Sequence, residues 1–61
     1  MNFREAHKLA IKRGCKEIEQ EGSHHHYIHP DIPGKLTIPE HGGKELKKKT
    51  ENNIKKWLGL K

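Results

Sequence analysis

The chain has 61 residues and a formal net charge of +5, and 30% of its residues are hydrophobic. A chain of this length forms one small domain, and it is too short for a large substrate cavity or a dinucleotide-binding fold. The single cysteine, Cys15, excludes an internal disulfide and a cysteine-rich zinc site. Since no apolar stretch resembles a signal peptide or a membrane span, we expect one cytoplasmic domain over residues 1–61.

The charges are distributed unevenly along the chain. Residues 1–13 carry four basic residues and one acidic residue, whereas residues 14–34 carry one basic residue and four acidic ones. Residues 44–61 carry seven lysines against two glutamates. Basic ends favour a polyanionic partner, with nucleic acid as the first candidate, although a lysine-rich surface that only maintains solubility has the same composition.

The first predicted element is a helix. Asn2 is followed by Glu5 at the spacing of a capping box. Apolar residues then recur at helical intervals, which predicts a helix over residues 3–13. Gly14 is expected to end this helix in a left-handed conformation.

Three strands are predicted next, at residues 15–20, 24–29 and 35–39. A Gly22-Ser23 turn joins the first two strands. A proline-bounded turn at residues 30–34 joins the second and third.

The last predicted element is a second helix. Thr50 is a suitable N-cap, and Gly59 is expected to end the helix. Ile54, Trp57 and Leu58 have the spacing of one apolar helical face. The predicted order is α-β-β-β-α, an α+β two-layer sandwich with both helices on one face of an antiparallel sheet.

Four of the six histidines lie in the predicted strand at residues 24–29. Alternation along a strand puts these side chains on two faces: His24, His26 and Ile28 on one, and His25, Tyr27 and His29 on the other. Tyr27 is the better core anchor and leaves His24 on the open face, whereas Ile28 favours the opposite orientation.

The types of residue in this histidine cluster are compatible with three interpretations. His24 and His26 could chelate Zn²⁺ or Ni²⁺, but no cysteine pair or acid at a suitable spacing supplies the further ligands. The histidines could instead be polar, half-buried strand residues. One of them could also act as a general acid or base, because histidine titrates near neutral pH.

Residues 22–30, Gly-Ser-His-His-His-Tyr-Ile-His-Pro, resemble the G-S-H-H-x-F/Y-x-H-P stretch of the HicA (YcfA-like) toxin family. The resemblance continues through residues 36–39, His41, residues 43–47 and Thr50. Because two spaced motifs agree in order and distance, the resemblance is specific and covers nearly the whole chain.

This resemblance implies a fold, an activity and a partner. HicA proteins are small, metal-independent mRNA interferases, the toxins of type II toxin–antitoxin pairs, with a fold similar to the double-stranded-RNA-binding domain. The family's catalytic histidine follows Gly-Ser, so the role falls on His24, with Gly22 and Ser23 forming the motif turn. The implied partners are mRNA and a HicB-type antitoxin. No cofactor or membrane is implied, and the free toxin is expected to be a monomer.

The residues themselves suggest how RNA would be held. A group of basic residues precedes the last predicted helix, whose N-terminus attracts phosphate. The candidate RNA-binding residues are Lys44, Lys47, Lys48, Lys49 and Thr50. A second proton-transfer group would assist His24, and the sequence leaves His26, a lysine or water open for that role. The alternative function is a non-catalytic RNA-binding module of the same fold, which would not require the Gly22-Ser23-His24 motif.

Overall fold

The computed structural model describes residues 1–60. The elements are α1 (Phe3–Lys12), β1 (Lys16–Glu21), β2 (His24–His29), β3 (Ile32–Pro39) and α2 (Lys48–Trp57). The strands form one antiparallel sheet in the order β1-β2-β3. The predicted α-β-β-β-α order and α+β class are confirmed. Within residues 1–60, neither helix is long and apolar enough to cross a membrane.

Both ends of α1 are capped as predicted. The Glu5 backbone N–H donates to Asn2 Oδ1 over 2.9 Å, and the Asn2 N–H donates to Glu5 Oε1 over 3.0 Å. At the other end, the Cys15 N–H donates to the Ala10 carbonyl oxygen over 2.9 Å. This bond needs a left-handed residue before Cys15, and Gly14 supplies it with φ 97°. The helix ends one residue earlier than predicted.

The boundaries of β3 differ from the prediction. The strand begins at Ile32, which pairs with His29, so the predicted turn at Pro30–Gly34 shortens to two residues. Pro33 lies inside the strand because β3 is at the edge of the sheet, where a missing N–H need not break the ladder.

A β-bulge interrupts the pairing of β1 with β2. Glu17 pairs with Tyr27 and Glu19 pairs with His26, which leaves Ile18 without a partner position. Ile18, the clearest apolar residue of this strand in the sequence, is 48% exposed. The extra residue shifts the alternation. Glu17 therefore shares the face of Tyr27, and Glu19 shares the opposite face with His26.

One hydrophobic core lies between the two helices and one face of the sheet. Its buried members are Ala6, Ala10, Cys15, Tyr27, Leu36, Ile38, Leu46, Ile54 and Leu58. The α1 contribution is two alanines, which let the helix approach the sheet closely, while Ile11 on the same helix is 46% exposed. Fully burying a large apolar side chain stabilises a fold by about 1.5–3 kcal/mol, so Tyr27, Ile38 and Ile54 are the main anchors.

The start of α2 corrects the predicted N-cap. The helix begins at Lys48 with Lys47 as its N-cap, and Thr50 lies inside the first turn. The preceding residue, Leu46, is buried, and its N–H donates to the Met1 carbonyl oxygen over 2.8 Å. Leu46 therefore fixes where the chain leaves the core, and the helix starts two residues later. Its predicted end at Gly59 is confirmed.

Candidate functional site

Tyr27 identifies the buried face of β2. Tyr27 is fully buried and His25 is 7% exposed, whereas Ile28 is 41% exposed. The orientation favoured by Tyr27 is therefore correct, and the one favoured by Ile28 is wrong. His24 and His26 lie on the other face of the sheet, which the helices do not cover. His24 is exposed there, at the first position of the strand.

A two-residue turn places His24 at the end of the sheet. Gly22 has φ 58°, a left-handed value that glycine adopts without strain. The Glu40 backbone N–H donates to the Ser23 carbonyl oxygen over 2.6 Å. His24 itself pairs with Pro39 on β3. The turn that carries His24 is therefore tied to the segment that leaves β3 and leads toward α2.

The predicted RNA-binding residues lie on that segment and on the first turn of α2. Lys44 is in the loop, Lys47 is the N-cap, and Lys48, Lys49 and Thr50 are the first three helical residues. All four lysines are exposed, and Thr50 is half-buried. Lys47 makes no side-chain capping bond. The first N–H groups of α2 can therefore donate hydrogen bonds to an anion, next to the lysine ammonium groups.

A charged network that the sequence pattern did not identify lies on the helix-facing side of the sheet. His25 Nδ1 is 2.9 Å from Glu17 Oε2, and His25 Nε2 is 2.9 Å from Glu40 Oε1. His7 Nδ1 is 2.6 Å from the Tyr27 hydroxyl and 3.8 Å from Glu17 Oε1. These five residues, here called the His25 network, come from four segments of the chain. Strand register, rather than sequence spacing, brings them together.

The two carboxylates determine the charge of His25. Burial alone would lower the pKa of His25, but the hydrogen bonds to Glu17 and Glu40 outweigh burial and raise the pKa above its ordinary value. An imidazole donates from both nitrogens only when it is protonated. Burial, and then the Glu17 charge, raise the pKa of Tyr27, so its hydroxyl stays protonated. His25 thus acts as a cationic bridge between β1 and the segment after β3.

A cleft of about 450 Å³ opens beside the His25 network. Its lining comes from the start of α1 and the segment after β3: Asn2, Phe3, Arg4, His7, Glu40 and Gly43. The Phe3 ring, which lines the cleft, packs on the His25 ring of the network with 4.4 Å between their centroids. Glu40 lines the cleft, and its backbone N–H is hydrogen-bonded to the turn that carries His24.

The remaining strand histidines have structural partners. His29 Nε2–H donates to the Arg13 carbonyl oxygen over 2.8 Å, and His29 Nδ1 accepts from the Asp31 N–H over 3.0 Å. His29 therefore ties the end of α1 to β2. His26 is 8% exposed although it lies on the open face, because neighbouring side chains cover it.

The pairing of β1 with β2 brings acidic side chains next to His26, although the spacing in the sequence did not indicate any acid near the histidines. Ligand atoms of Glu19, Glu21 and His26 all lie within 4.8 Å of one another. Imidazole nitrogens and carboxylate oxygens are ligands that Zn²⁺ accepts. The metal interpretation of the histidine cluster therefore has a set of side chains that fits it, on the same face as His24.

Comparison with known proteins gives the family. The family model described as the HicA toxin of bacterial toxin–antitoxin systems matches residues 3–60. No curated protein matches the chain. The matched range includes both helices and all three strands, together with the turn that carries His24. The chain therefore belongs to the HicA family of toxins of bacterial toxin–antitoxin systems.

Proposed function

We propose that this toxin is an endoribonuclease that cleaves mRNA without a metal ion or other cofactor, with His24 as its catalytic residue. The observation that carries the proposal is the position of His24. Its imidazole is exposed at the end of the sheet, on a turn bonded to the segment that leads to the basic residues of α2. Membership in a toxin family supports an activity directed at a cellular macromolecule.

His24 would transfer protons during cleavage of the phosphodiester. As a base, its imidazole accepts the proton of an RNA 2′-hydroxyl, whose oxygen attacks the adjacent phosphorus. The bond from phosphorus to the 5′-oxygen breaks, and that oxygen takes up a proton. Positioned proton transfer of this kind accelerates a reaction by about 10²–10⁴-fold.

The second proton-transfer group is better supplied by a lysine or by water than by His26. His26 Nδ1 is 2.8 Å from Thr37 Oγ1, and His26 Nε2 is 3.0 Å from Glu21 Oε1. Both ring nitrogens are therefore engaged within the sheet. By contrast, the four lysines of the basic segment are exposed to solvent.

The basic segment would hold the scissile phosphate. Lys44, Lys47, Lys48 and Lys49 supply positive charge, and the first N–H groups of α2, including that of Thr50, can donate to phosphate oxygens. Charge develops on the phosphate oxygens as the 2′-oxygen attacks. Donors already in place would stabilise that charge without reorganisation.

The antitoxin of this toxin is proposed to be a HicB-type protein that covers His24 and the lysines. An acidic partner would complement the basic surface, and its binding to the folded toxin would stabilise a domain with a small core. The free toxin is proposed to be a monomer that acts on mRNA in the cytoplasm. Cleavage by the toxin–antitoxin complex at the rate of free toxin would contradict this assignment.

The first experiment compares three proteins on a long single-stranded RNA in the presence of EDTA. Wild type and His24→Ala are compared with His41→Ala, a control that removes another exposed imidazole, from the loop after β3. Wild type and the control are expected to cleave, while His24→Ala loses about 10²–10⁴-fold in rate. RNA binding by all three should weaken as salt is raised, because phosphate contacts release counterions.

The other outcomes decide between functions. Equal cleavage by all three proteins would overturn the role of His24. Salt-sensitive binding by all three with cleavage by none would favour the alternative, a non-catalytic RNA-binding module of the same fold. Loss of wild-type cleavage in EDTA with recovery on adding a divalent cation would overturn metal independence.

A further inference from the structure

Three potential metal ligands converge on the open face of the sheet, beside His24. They are Glu19 and Glu21 of β1 and His26 of β2, with ligand atoms within 4.8 Å of one another. The bulge at Ile18 is what places Glu19 there. Regular alternation from Glu17 would put Glu19 on the helix-facing side, and the extra residue re-aims it opposite His26.

His26 is held between two side chains on the open face, Thr37 and Glu21. Its side chain is only 10% exposed, and Nδ1 is 2.8 Å from Thr37 Oγ1 on the neighbouring strand. His26 Nε2 is 3.0 Å from Glu21 Oε1, and an ion bound there would take the place of the proton of that hydrogen bond, with Nδ1–H then donating to Thr37 Oγ1. A partner on the second ring nitrogen fixes the tautomer and the ring plane of a metal-ligating histidine. Thr37 lies outside the ligand group and is in place before any ion arrives.

The two carboxyl groups lie close together on the open face. Ligand atoms of Glu19 and Glu21 are within 4.8 Å of each other and of a ligand atom of His26. Two carboxylates at this separation repel each other, and a divalent cation bound between them would relieve that repulsion.

We propose that His26, Glu21 and Glu19 form a binding site for a divalent cation of the Zn²⁺ class, with His24 as the fourth ligand. His24 lies directly opposite Glu21 in the strand register and two residues from His26 on the same face. His24 lies outside the group of three whose ligand atoms are within 4.8 Å of one another, and its side chain is exposed. Rotation of that side chain toward the group would bring together two imidazoles and two carboxylates, a tetrahedral set that Zn²⁺ accepts. The mixture of imidazole and carboxylate favours Zn²⁺, Cu²⁺ or Ni²⁺ over Mg²⁺ and Ca²⁺.

Such a site would act as an inhibitory switch on the toxin. When a nitrogen of His24 is bonded to the ion, its lone pair is no longer available to accept the 2′-hydroxyl proton. Zn²⁺ would therefore suppress cleavage, and a chelator would restore it. This consequence rests on the proposed ribonuclease function, whereas ion binding does not, so the two are tested separately.

The binding test titrates Zn²⁺ into metal-free protein in competition with a chromophoric chelator. Wild type is compared with Glu21→Gln and with Asp31→Asn, a control that removes an exposed carboxylate in the β2–β3 turn. One ion per chain is expected. Loss of one ligand should weaken binding at least about tenfold, the smallest effect seen even for outer-shell partners, while the control binds as wild type does. Equal affinity in wild type and Glu21→Gln would overturn the site.

The variants His24→Ala and His41→Ala distinguish a specific Zn²⁺ site from a general affinity of exposed histidines for Zn²⁺. A weaker affinity in His24→Ala with unchanged affinity in His41→Ala is expected. Equal losses in both would mean that the ion contacts exposed imidazoles without selecting the sheet face, which would overturn the proposal.

The inhibition test measures RNA cleavage with and without Zn²⁺. Wild type should be inhibited, and Glu21→Gln, which retains His24, should keep its activity at the same Zn²⁺ concentration. Equal inhibition of both proteins would overturn the link between the ion and His24. If neither protein cleaves RNA even in EDTA, the ribonuclease function fails, and the binding titration still decides the site.

Discussion

His25→Ala is the substitution that tests how much of the stability depends on the His25 network. It removes the two 2.9 Å hydrogen bonds to Glu17 and Glu40 and leaves those carboxylates without their shared cation. A hydrogen bond to a charged group contributes about 1.5–3 kcal/mol. The Glu40 side chain is 46% exposed, so water screens its bond to about 1 kcal/mol or less. The expected cost at mildly acidic pH is therefore about 2–4 kcal/mol.

That cost is large for a chain of this size. At about 0.05–0.15 kcal/mol per residue, 61 residues have a total stability of about 3–9 kcal/mol. His25→Ala should thus remove between about a fifth of the stability and all of it, so that a protein at the lower end of this range would unfold. The same substitution on an exposed histidine, His41→Ala, should change stability by less than about 0.5 kcal/mol.

The pH dependence of the unfolding free energy is a second test of the contribution of His25. The pKa of His25 in the folded protein is raised above its ordinary value of 6.5. The stabilisation is therefore fully present below about pH 6.5 and is lost as the pH rises through the folded-state pKa. Above that pKa the neutral ring can donate to only one carboxylate. Wild type should lose stability between mildly acidic and alkaline pH, and His25→Ala should lack that component.

Urea unfolding followed by far-ultraviolet circular dichroism measures both effects. The wild type, His25→Ala and His41→Ala proteins are unfolded at about pH 6 and about pH 9, and the free energies of unfolding are compared. A cost below about 1 kcal/mol for His25→Ala at the lower pH would refute the assigned strength of the network. An unchanged pH dependence in His25→Ala would refute the assignment of the charge to His25.

Three further substitutions probe the core and one of its hydrogen bonds by the same urea unfolding. Ile54→Ala should cost about 2–5 kcal/mol, because Ile54 is 1% exposed, whereas Ile18→Ala, at a side chain 48% exposed, should stay within about 0.5 kcal/mol. Equal costs would contradict the assigned core. Tyr27→Phe removes the hydroxyl 2.6 Å from His7 Nδ1 and should cost about 1 kcal/mol. An unchanged or higher stability would show that this bond does not contribute.

Local features of the fold were predictable because their causes lie within a few residues. The capping box of Asn2 and Glu5 and the left-handed Gly14 each depend on one turn of helix. The predicted N-cap at Thr50 was wrong because the start of α2 depends on a distant contact. The Leu46 N–H is bonded to the Met1 carbonyl oxygen, which fixes the position of the chain just before the helix. The local preference of Thr50 for the N-cap position does not overcome that contact.

The burial of β2 could be predicted only as a choice between two faces. Tyr27 and Ile28 are both apolar enough to be buried, and the strand alone does not decide between them. The decision comes from β3, where Leu36 pairs with Tyr27 and Ile38 pairs with His25. Leu36 and Ile38 share one face, so burying Ile28 would expose both of them. Pairing with a strand of clear alternation therefore resolves the ambiguity that four histidines create.

The acidic side chains around the histidines were the least predictable, because a single unpaired residue decides their positions. In the sequence, Glu17, Glu19 and Glu21 alternate and would all lie on one face of a regular strand. The bulge divides them, so that Glu17 meets His25 on the helix side and the other two meet His26 on the open side. A regular strand would gather three carboxylates on one face and leave the histidine of the other face without a carboxylate from β1. The bulge distributes negative charge to both faces, and each imidazole of the strand centre obtains a carboxylate partner.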